Sequence, residues 1–381
     1  MTDGAVCGII RMKKYGAITC RFLRCHMIYD ILVVGAGPAG ATFARRAAAD
    51  GKKIFVLDGQ DPASPKPCGG LLSPDAQRVL ARFDFVLPKS VLADPQIFSV
   101  KTVDVPARRV RYYQRYYLNM DRYAFDSWLM SLLPPSVEVL RGKCVEVVRK
   151  DGIFYVTASV DGERRTFEAR MLVGADGAGS VVRKTFFKRP IMKYVAIQQW
   201  FRRTDDGDPF YSCIFDPETS ESCSWMMYKG DAVIFGGCFS PKGCREAFEK
   251  QKQRVFDFLD IDLGEPIRTE ACLADRPRRM RDFVTGKDGV YLIGEAAGFI
   301  SASSFEGISS AIVSGDLLAD AVLGGDEKKV ARRYFRATRK LRFKLLLKIG
   351  KRWFMYTPPV RRLIMVMGIA SIDVNIEGKK R

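Results

Sequence analysis

The chain has 381 residues, 47% of them hydrophobic, a length that suits two closely associated domains, and no apolar run reaches the roughly 18–20 residues that span a bilayer. The formal net charge of +19 is localised, because residues 328–372 hold fourteen Lys and Arg with no Asp or Glu while residues 30–327 balance to zero. A nucleic-acid-binding fold would spread basic residues over a face of the body, so this pattern excludes nucleic acid and favours a local anionic partner such as phospholipid headgroups.

Residues 1–26 carry Arg and Lys but no apolar stretch of signal-peptide length. Met27 reads as a natural start, with 1–26 a disordered or mis-assigned extension; an amphipathic targeting arm is the alternative. Ile31-Leu32-Val33-Val34 is a continuous apolar run, as a strand buried on both faces requires. Gly35-Ala36-Gly37-Pro38-Ala39-Gly40 follows, then an Ala-rich helix from Ala41 to Asp50, and a second buried strand, Ile54 to Leu57, ending at Asp58. The loop from Asp61 to Ser73 is rich in Pro and Gly. A helix over Asp75 to Phe83, strands within 97–118 and a helix over Asp121 to Leu133 come next. Val137 to Val148, Ile153 to Val160 and Thr166 to Ala169 read as antiparallel strands around the Asp151-Gly152 and Asp161-Gly162 turns. Met171 to Val173 reads as a separate buried strand. From Val195 to Phe239 strand follows strand, then helices over Glu246–Phe258 and Gly307–Leu323 flank a last buried strand, Val290 to Ile293. Lys328 to Met355 is helical and basic.

Ten cysteines form no C-x-x-C pair and the only histidine is His26. Zinc spacings, a Ser-His-Asp triad and a histidine metal site are therefore not available to the body, and no iron–sulfur cluster motif is present. The cysteines read as small buried hydrophobes of a reducing compartment. Redox chemistry done by an organic cofactor needs none of these.

Gly35-x-Gly37-x-x-Gly40 lies between a strand and a helix. The first glycine permits the tight turn, the second lets a pyrophosphate approach the backbone, and the third lets helix and strand pack. Asp58, about twenty residues on, is placed to bind adenosine ribose hydroxyls. Two more glycine-rich strand ends follow, Gly174-Ala175-Asp176-Gly177-Ala178-Gly179-Ser180 and Gly294-Glu295-Ala296-Ala297-Gly298. Three such ends imply one long ligand.

On these motifs the chain, from Ile31 to about Met367, resembles the para-hydroxybenzoate-hydroxylase-type FAD oxidoreductases, and within them the geranylgeranyl reductase branch. The resemblance implies FAD, with its ADP on Gly35, Gly37, Pro38, Ala39, Gly40 and Asp58. It implies Asp176 and Gly177 near the pyrophosphate, and Gly294, Glu295 and Gly298 at the ribityl chain. Cys68, Gly69 and Gly70 would lie beside the isoalloxazine, and Gly307 and Ile308 at its pyrimidine edge. Arg122 matches a flavin-contacting arginine, and Val145 an adenine contact. Two departures stand out. Glu295 replaces the usual Asp, and the branch's aromatic Y-x-W-x-F-P run reads Cys223-Ser224-Trp225-Met226-Met227-Tyr228, which keeps the tryptophan alone.

The expected fold is α/β, with a Rossmann-like FAD-binding domain over 27–90, 106–186 and 275–326. An antiparallel-sheet substrate domain, over 91–105 and 187–274, is interleaved with it, and a basic helical region over 327–381 follows. Flavin N5 would accept hydride from a donor and pass it to a prenyl or other lipid substrate. Cys68 would donate a proton or only shape the pocket. Trp200, Tyr211, Phe215, Trp225 and Met227 would line that pocket or form ordinary sheet core. No second GxGxxG appears, so NADPH or a reduced electron carrier would dock only transiently. In the final helix, Arg336, Lys340, Lys344, Lys348 and Arg352 recur beside Leu341, Leu345, Ile349 and Trp353, with Leu346 widening the apolar stripe. This suits either an anionic membrane surface or a helix that packs on the body and shows a solvated basic face. The expected location is cytoplasmic, with peripheral attachment to the inner membrane face in the first case. Other readings are an FAD-dependent monooxygenase of the aromatic hydroxylase type and a membrane-associated FAD-binding protein without turnover.

Overall fold

A computed structural model of the chain describes residues 27–62, 66–83, 85–204 and 210–374. The expected extension at 1–26 lies outside the described residues. Strand β1 (Ile28–Val34) runs into helix α1 (Pro38–Ala47) and returns as β2 (Ile54–Asp58). Short β3 (Leu71–Leu72) and α2 (Pro74–Arg82) lead to β4 (Ile97–Asp104) and β5 (Arg109–Asn119). Helix α3 (Arg122–Ser131) precedes β6 (Val137–Arg141), β7 (Lys143–Lys150), β8 (Ile153–Val160), β9 (Glu163–Gly174) and α4 (Val181–Phe186). Next come β10 (Met192–Arg202), β11 (Tyr211–Phe215), β12 (Cys223–Lys229), β13 (Ala232–Phe239), α5 (Cys244–Leu259) and β14 (Arg268–Arg276). The chain closes with β15 (Gly286–Lys287), β16 (Val290–Leu292), α6 (Ile308–Leu323), α7 (Val330–Ala337), α8 (Arg339–Tyr356) and α9 (Pro358–Met367).

The strands form two eight-stranded sheets. The first has the order β15-β16-β9-β1-β2-β6, with β8 and β7 continuing from β9. Its centre is parallel: β1 pairs with β2 and β9, and β16 with β9. Apolar β1 and β2 are covered on both faces, as parallel strands require, and their side chains join α6 and α7 in the largest core cluster. The second sheet has the order β14-β10-β13-β12-β11-β4-β5-β3. One of its faces is sealed by α5, where Phe248 and Val255 meet Ile197, Phe201, Phe235 and Phe239.

Four expectations are corrected. Val137 to Val148 is two strands, because Gly142 breaks it where a side chain would strike Val160. Thr166–Ala169 and Met171–Val173 are one strand, β9, antiparallel to β8 at its start and parallel to β1 further on. Residues 109–119, expected in the FAD-binding portion, pair with β4 in the second sheet. That sheet is not wholly antiparallel: β11 lies parallel to β4, since the chain visits the first sheet between them and returns by a crossover.

Candidate cofactor site and its substrate wall

The carboxyl ends of β1, β9 and β16 lie side by side, so their three glycine-rich turns converge as such ends do in ligand-binding α/β sheets. Gly35 adopts a left-handed φ of 102°, and a Cβ on Gly40 would come 1.9 Å from the Gly35 carbonyl oxygen. Gly37 has no neighbour within 4 Å of where its Cβ would stand, which leaves the backbone open to a phosphate. Helix α1 begins with Pro38 and has no side-chain cap, so its first-turn amides and positive pole face that opening. Asp58 ends β2 and accepts from the Gln60 amide at 3.1 Å. Burial raises its carboxyl above the ordinary range. Beside it the Gln60 side-chain nitrogen is buried with no partner, a donor waiting for an acceptor. Open backbone, ribose carboxylate and orphan donor fit the ADP half of FAD.

At the second turn the Asp176 carboxylate accepts from Ser180 Oγ at 2.5 Å and from the Val181 amide at 2.7 Å. Its charge therefore anchors α4, and Gly177 is left at the surface of the turn. Arg183 sits buried behind it, donating to the Ala296 and Asp282 carbonyls at 2.9 Å each, which locks the second turn to the third. Here Glu295 accepts from Lys66 Nζ at 2.8 Å and from the Asp275 backbone amide at 3.0 Å. Burial opposes its charge, yet the ammonium and these bonds hold its carboxyl below the ordinary range. Lys193 donates to the Ala178 carbonyl and to the buried Asp275 carboxylate. Burial pushes Asp275 up to about 6 against the pull of Lys193.

The Cys68–Gly70 loop packs on the second sheet. Lys229 donates to the carbonyls of Met120 at 2.5 Å and Gly70 at 3.3 Å, and burial brings its ammonium down to about 8. Arg122 opens α3 and donates to Asp126 at 2.9 Å, with half-buried Cys68 nearby. Gly307 caps α6 without a side-chain bond, leaving the Ile308 turn uncapped. Glu306 before it meets the Tyr117 hydroxyl at 3.4 Å and Arg115 at 3.8 Å. Gly298 closes the third turn in a left-handed conformation. Val145 is exposed at the irregularity between Cys144 and Glu146, on the strand that starts beside Gly59.

All five wall candidates project from the face of the second sheet opposite α5, as the register shows: Trp200 and Met227 both pair with Ile234, Trp225 pairs with Gly236 and Cys213, and Tyr211 and Phe215 share the Cys213 parity. The structure divides them. Met227 and Trp225 reach the loop, since a Cβ on Gly69 would lie 2.8 Å from Met227 Cε and 3.9 Å from Trp225 Cδ1. Tyr211 stacks near Tyr117, ring centres 5.3 Å apart. Phe215 is withdrawn: it packs on Tyr356 at 5.4 Å and lies under the Arg361 guanidinium. Trp200 stands aside too, bonded to Glu270 at 2.9 Å and covered by Arg268. Sequence reasoning missed Gln60, Lys66, Lys193, Gln198, Lys229 and Asp275. Lys66 immediately precedes the Pro67-Cys68-Gly69-Gly70 loop; the others carry no motif.

Comparison with known proteins bears on the family and the fold. Residues 29–188 match the family described as pyridine nucleotide-disulphide oxidoreductase. Protein CbrA of Escherichia coli O9:H4 (strain HS) is 46% identical over 351 residues, covering 90% of this chain and 94% of that one. A geranylgeranyl bacteriochlorophyll reductase-like protein of Thermoplasma acidophilum superposes with a TM-score of 0.77 at 21% identity, over 91% of this chain and 92% of that one. The p-nitrophenol 4-monooxygenase PnpA of Pseudomonas putida DLL-E4 does so with a TM-score of 0.67 at 15% identity, over 90% and 94%. The chain belongs to the CbrA family, on the fold shared by FAD-dependent oxidoreductases.

Proposed function

We propose that this chain is an FAD-dependent oxidoreductase that reduces carbon–carbon double bonds of a prenyl or other lipid substrate. The observation that carries the reading is the contact of Trp225 and Met227 with Gly69: an apolar wall meets the loop beside the flavin position. Bound FAD would supply hydride there. The chain's own part is to hold the loop through Lys229, to exclude water with the sheet, and to offer a polar anchor. Trp225 Nε1 and Gln198 Oε1 are buried without partners and flank Gly236 on its two neighbouring strands. One donor and one acceptor in an apolar wall suit a single substrate hydroxyl or carbonyl. Saturating a double bond needs a proton as well as a hydride, and Cys68 is the thiol within that loop. Cys68→Ala should slow turnover while leaving FAD bound; unchanged turnover would reduce Cys68 to a shaping role.

The test is anaerobic. Protein with its flavin reduced is mixed with polyprenyl substrates, and return of the oxidised flavin absorbance is followed with product mass. Reoxidation with a product two hydrogens heavier supports the reading. The fold likeness to PnpA keeps one alternative: NADPH-driven oxygen uptake that requires an aromatic substrate, with no anaerobic reoxidation, would make this a monooxygenase.

A further inference from the structure

The basic C-terminal helices carry a surface other than the one their sequence periodicity suggests. Leu341 and Leu345 are buried in the main core, with Ile349 packed against it. Lys344 and Lys348 both pair with Asp75, at 2.9 and 3.3 Å, and Arg352 lies 3.8 Å from Glu221. Most of the expected stripe is thus the face that docks on the body, while its Trp353, Arg336 and Lys340 stay exposed.

The opposite face is the unusual one. Lys340, Phe343, Leu347, Lys351 and Phe354 recur at spacings of three, four, four and three, which places them along one side of α8. Phe343, Leu347 and Phe354 are 57%, 59% and 65% exposed, and Trp353 beside them is 76% exposed. Helix α9 and the turn after it add Leu363, Val366, Met367 and Ile369, each more than half exposed. A water-facing stripe is normally polar, and large exposed apolar side chains gathered on two contacting helices mark an interaction surface. On α7, α8 and α9 Arg332, Arg336, Arg339, Lys340, Lys351 and Arg362 are exposed, with no carboxylate partner among the described residues.

We propose that this face lies in the interface of an anionic phospholipid bilayer, with Phe343, Leu347, Trp353, Phe354 and Leu363 inserted below the headgroups and the cations set among the phosphates. Charge complementarity selects this occupant. A second copy brought to this face would oppose one cationic set with another, and a nucleic acid would leave the aromatic side chains in water. The contact is in the membrane plane, by the apolar-plus-cationic mode of interfacial helices, and no helix among the described residues is long and apolar enough to cross a membrane. The same helices hold the substrate sheet: Tyr356 accepts from the Cys223 amide at 3.2 Å and Arg361 pairs with Asp104 at 2.8 Å. The docking stands independently of the reaction proposed above.

The test uses the full FAD-loaded chain and vesicles of phosphatidylglycerol with phosphatidylethanolamine, compared with phosphatidylcholine alone. Co-sedimentation is expected with the first at low salt, weakening at least tenfold as salt rises, and not with the second. Trp353 is one of four tryptophans, so lipids brominated on the acyl chain should quench wild-type fluorescence and leave Trp353→Phe largely unquenched. The triple variant Phe343→Ser, Leu347→Ser, Phe354→Ser should keep its FAD and its melting temperature and bind at least tenfold more weakly. Absence of binding to anionic vesicles at low salt would overturn the proposal. So would full binding by the triple variant, or a wild-type dimer in light scattering that the triple variant abolishes.

Discussion

Gly37 and Gly40 stand three residues apart in one turn and obey different constraints, which makes them separable by substitution. A methyl on Gly40 would meet the Gly35 carbonyl oxygen at 1.9 Å, and overpacking of this kind costs roughly 1–3 kcal/mol. Gly40→Ala should therefore lower the melting temperature even without FAD. A methyl on Gly37 meets nothing of the protein but occupies the phosphate approach. Gly37→Ala should leave the apoprotein's melting temperature unchanged and weaken FAD at least tenfold, about 1.4 kcal/mol, in a fluorescence titration. Equal effects from both would deny that a pyrophosphate lies against Gly37. Asp275 offers a test with the opposite sense to most carboxylates. Its folded-state value of about 6 lies above the ordinary range because burial disfavours its charge. Between about pH 4 and pH 6 the folded state holds this proton more tightly than the unfolded chain, so its contribution to stability is full below that window and declines as pH rises through it. Denaturation of wild type and Asp275→Asn at several pH values should show the wild-type advantage falling across the window; a flat difference would reject the assignment. Gly35 and Gly40 were legible because a left-handed φ and a backbone contact leave no room for another residue there, and Gly37 by its place in the G-x-G-x-x-G spacing. Gln60, Lys193, Gln198 and Asp275 were not: Lys193 meets Asp275 only through strand pairing distant in sequence, the Gln60 and Gln198 side chains each keep a buried atom without a partner, and no local pattern encodes either.

At the level of elements, apolar runs located the buried strands of both sheets. What local pattern could not supply was partnership. Nothing within Glu163–Gly174 says that its first half pairs antiparallel with β8 while its second half pairs parallel with β1. Likewise the four-residue cationic repeat of α8 is the same whether it faces lipid or Asp75; only Asp75, some 270 residues away in sequence, settles the direction. Helix α9 illustrates how strongly such distant partners act. Arg361 and Asp104 form an ion pair with side-chain exposures of 6% and 3%, and Arg361 also donates to the Met355 carbonyl at 3.0 Å. Removing one partner leaves a buried charge alone, which costs roughly 3–5 kcal/mol. Arg361→Ala should lose about that much in chemical denaturation, and Arg361→Met with Asp104→Leu should recover most of it. A loss under 1 kcal/mol would mean that α9 is not held by this pair.

For the whole molecule, the cofactor site is drawn from three stretches of chain some 140 and 120 residues apart, at Gly35, Gly174 and Gly294. Each stretch ends a strand of the same sheet, and each is followed by a helix or turn that the protein alone holds in place: α1 against α6, α4 through Asp176, and the third turn through Arg183 and Glu295. A single long ligand lying across all three would join segments that are otherwise connected only through the sheet. Ligand present at one hundred times its dissociation constant stabilises the folded state by about 2.7 kcal/mol, and in a chain of 381 residues each kcal/mol moves the midpoint by roughly 1–2 °C. Apoprotein saturated with FAD should therefore melt about 3–5 °C higher. The same titration with ADP-ribose, which reaches only the Gly35 turn and Asp58, should give a smaller rise. If ADP-ribose matched FAD, the Gly294 turn and the Cys68–Gly70 loop would be making no contact with the flavin half, and the convergence of the three turns would be a property of the fold alone.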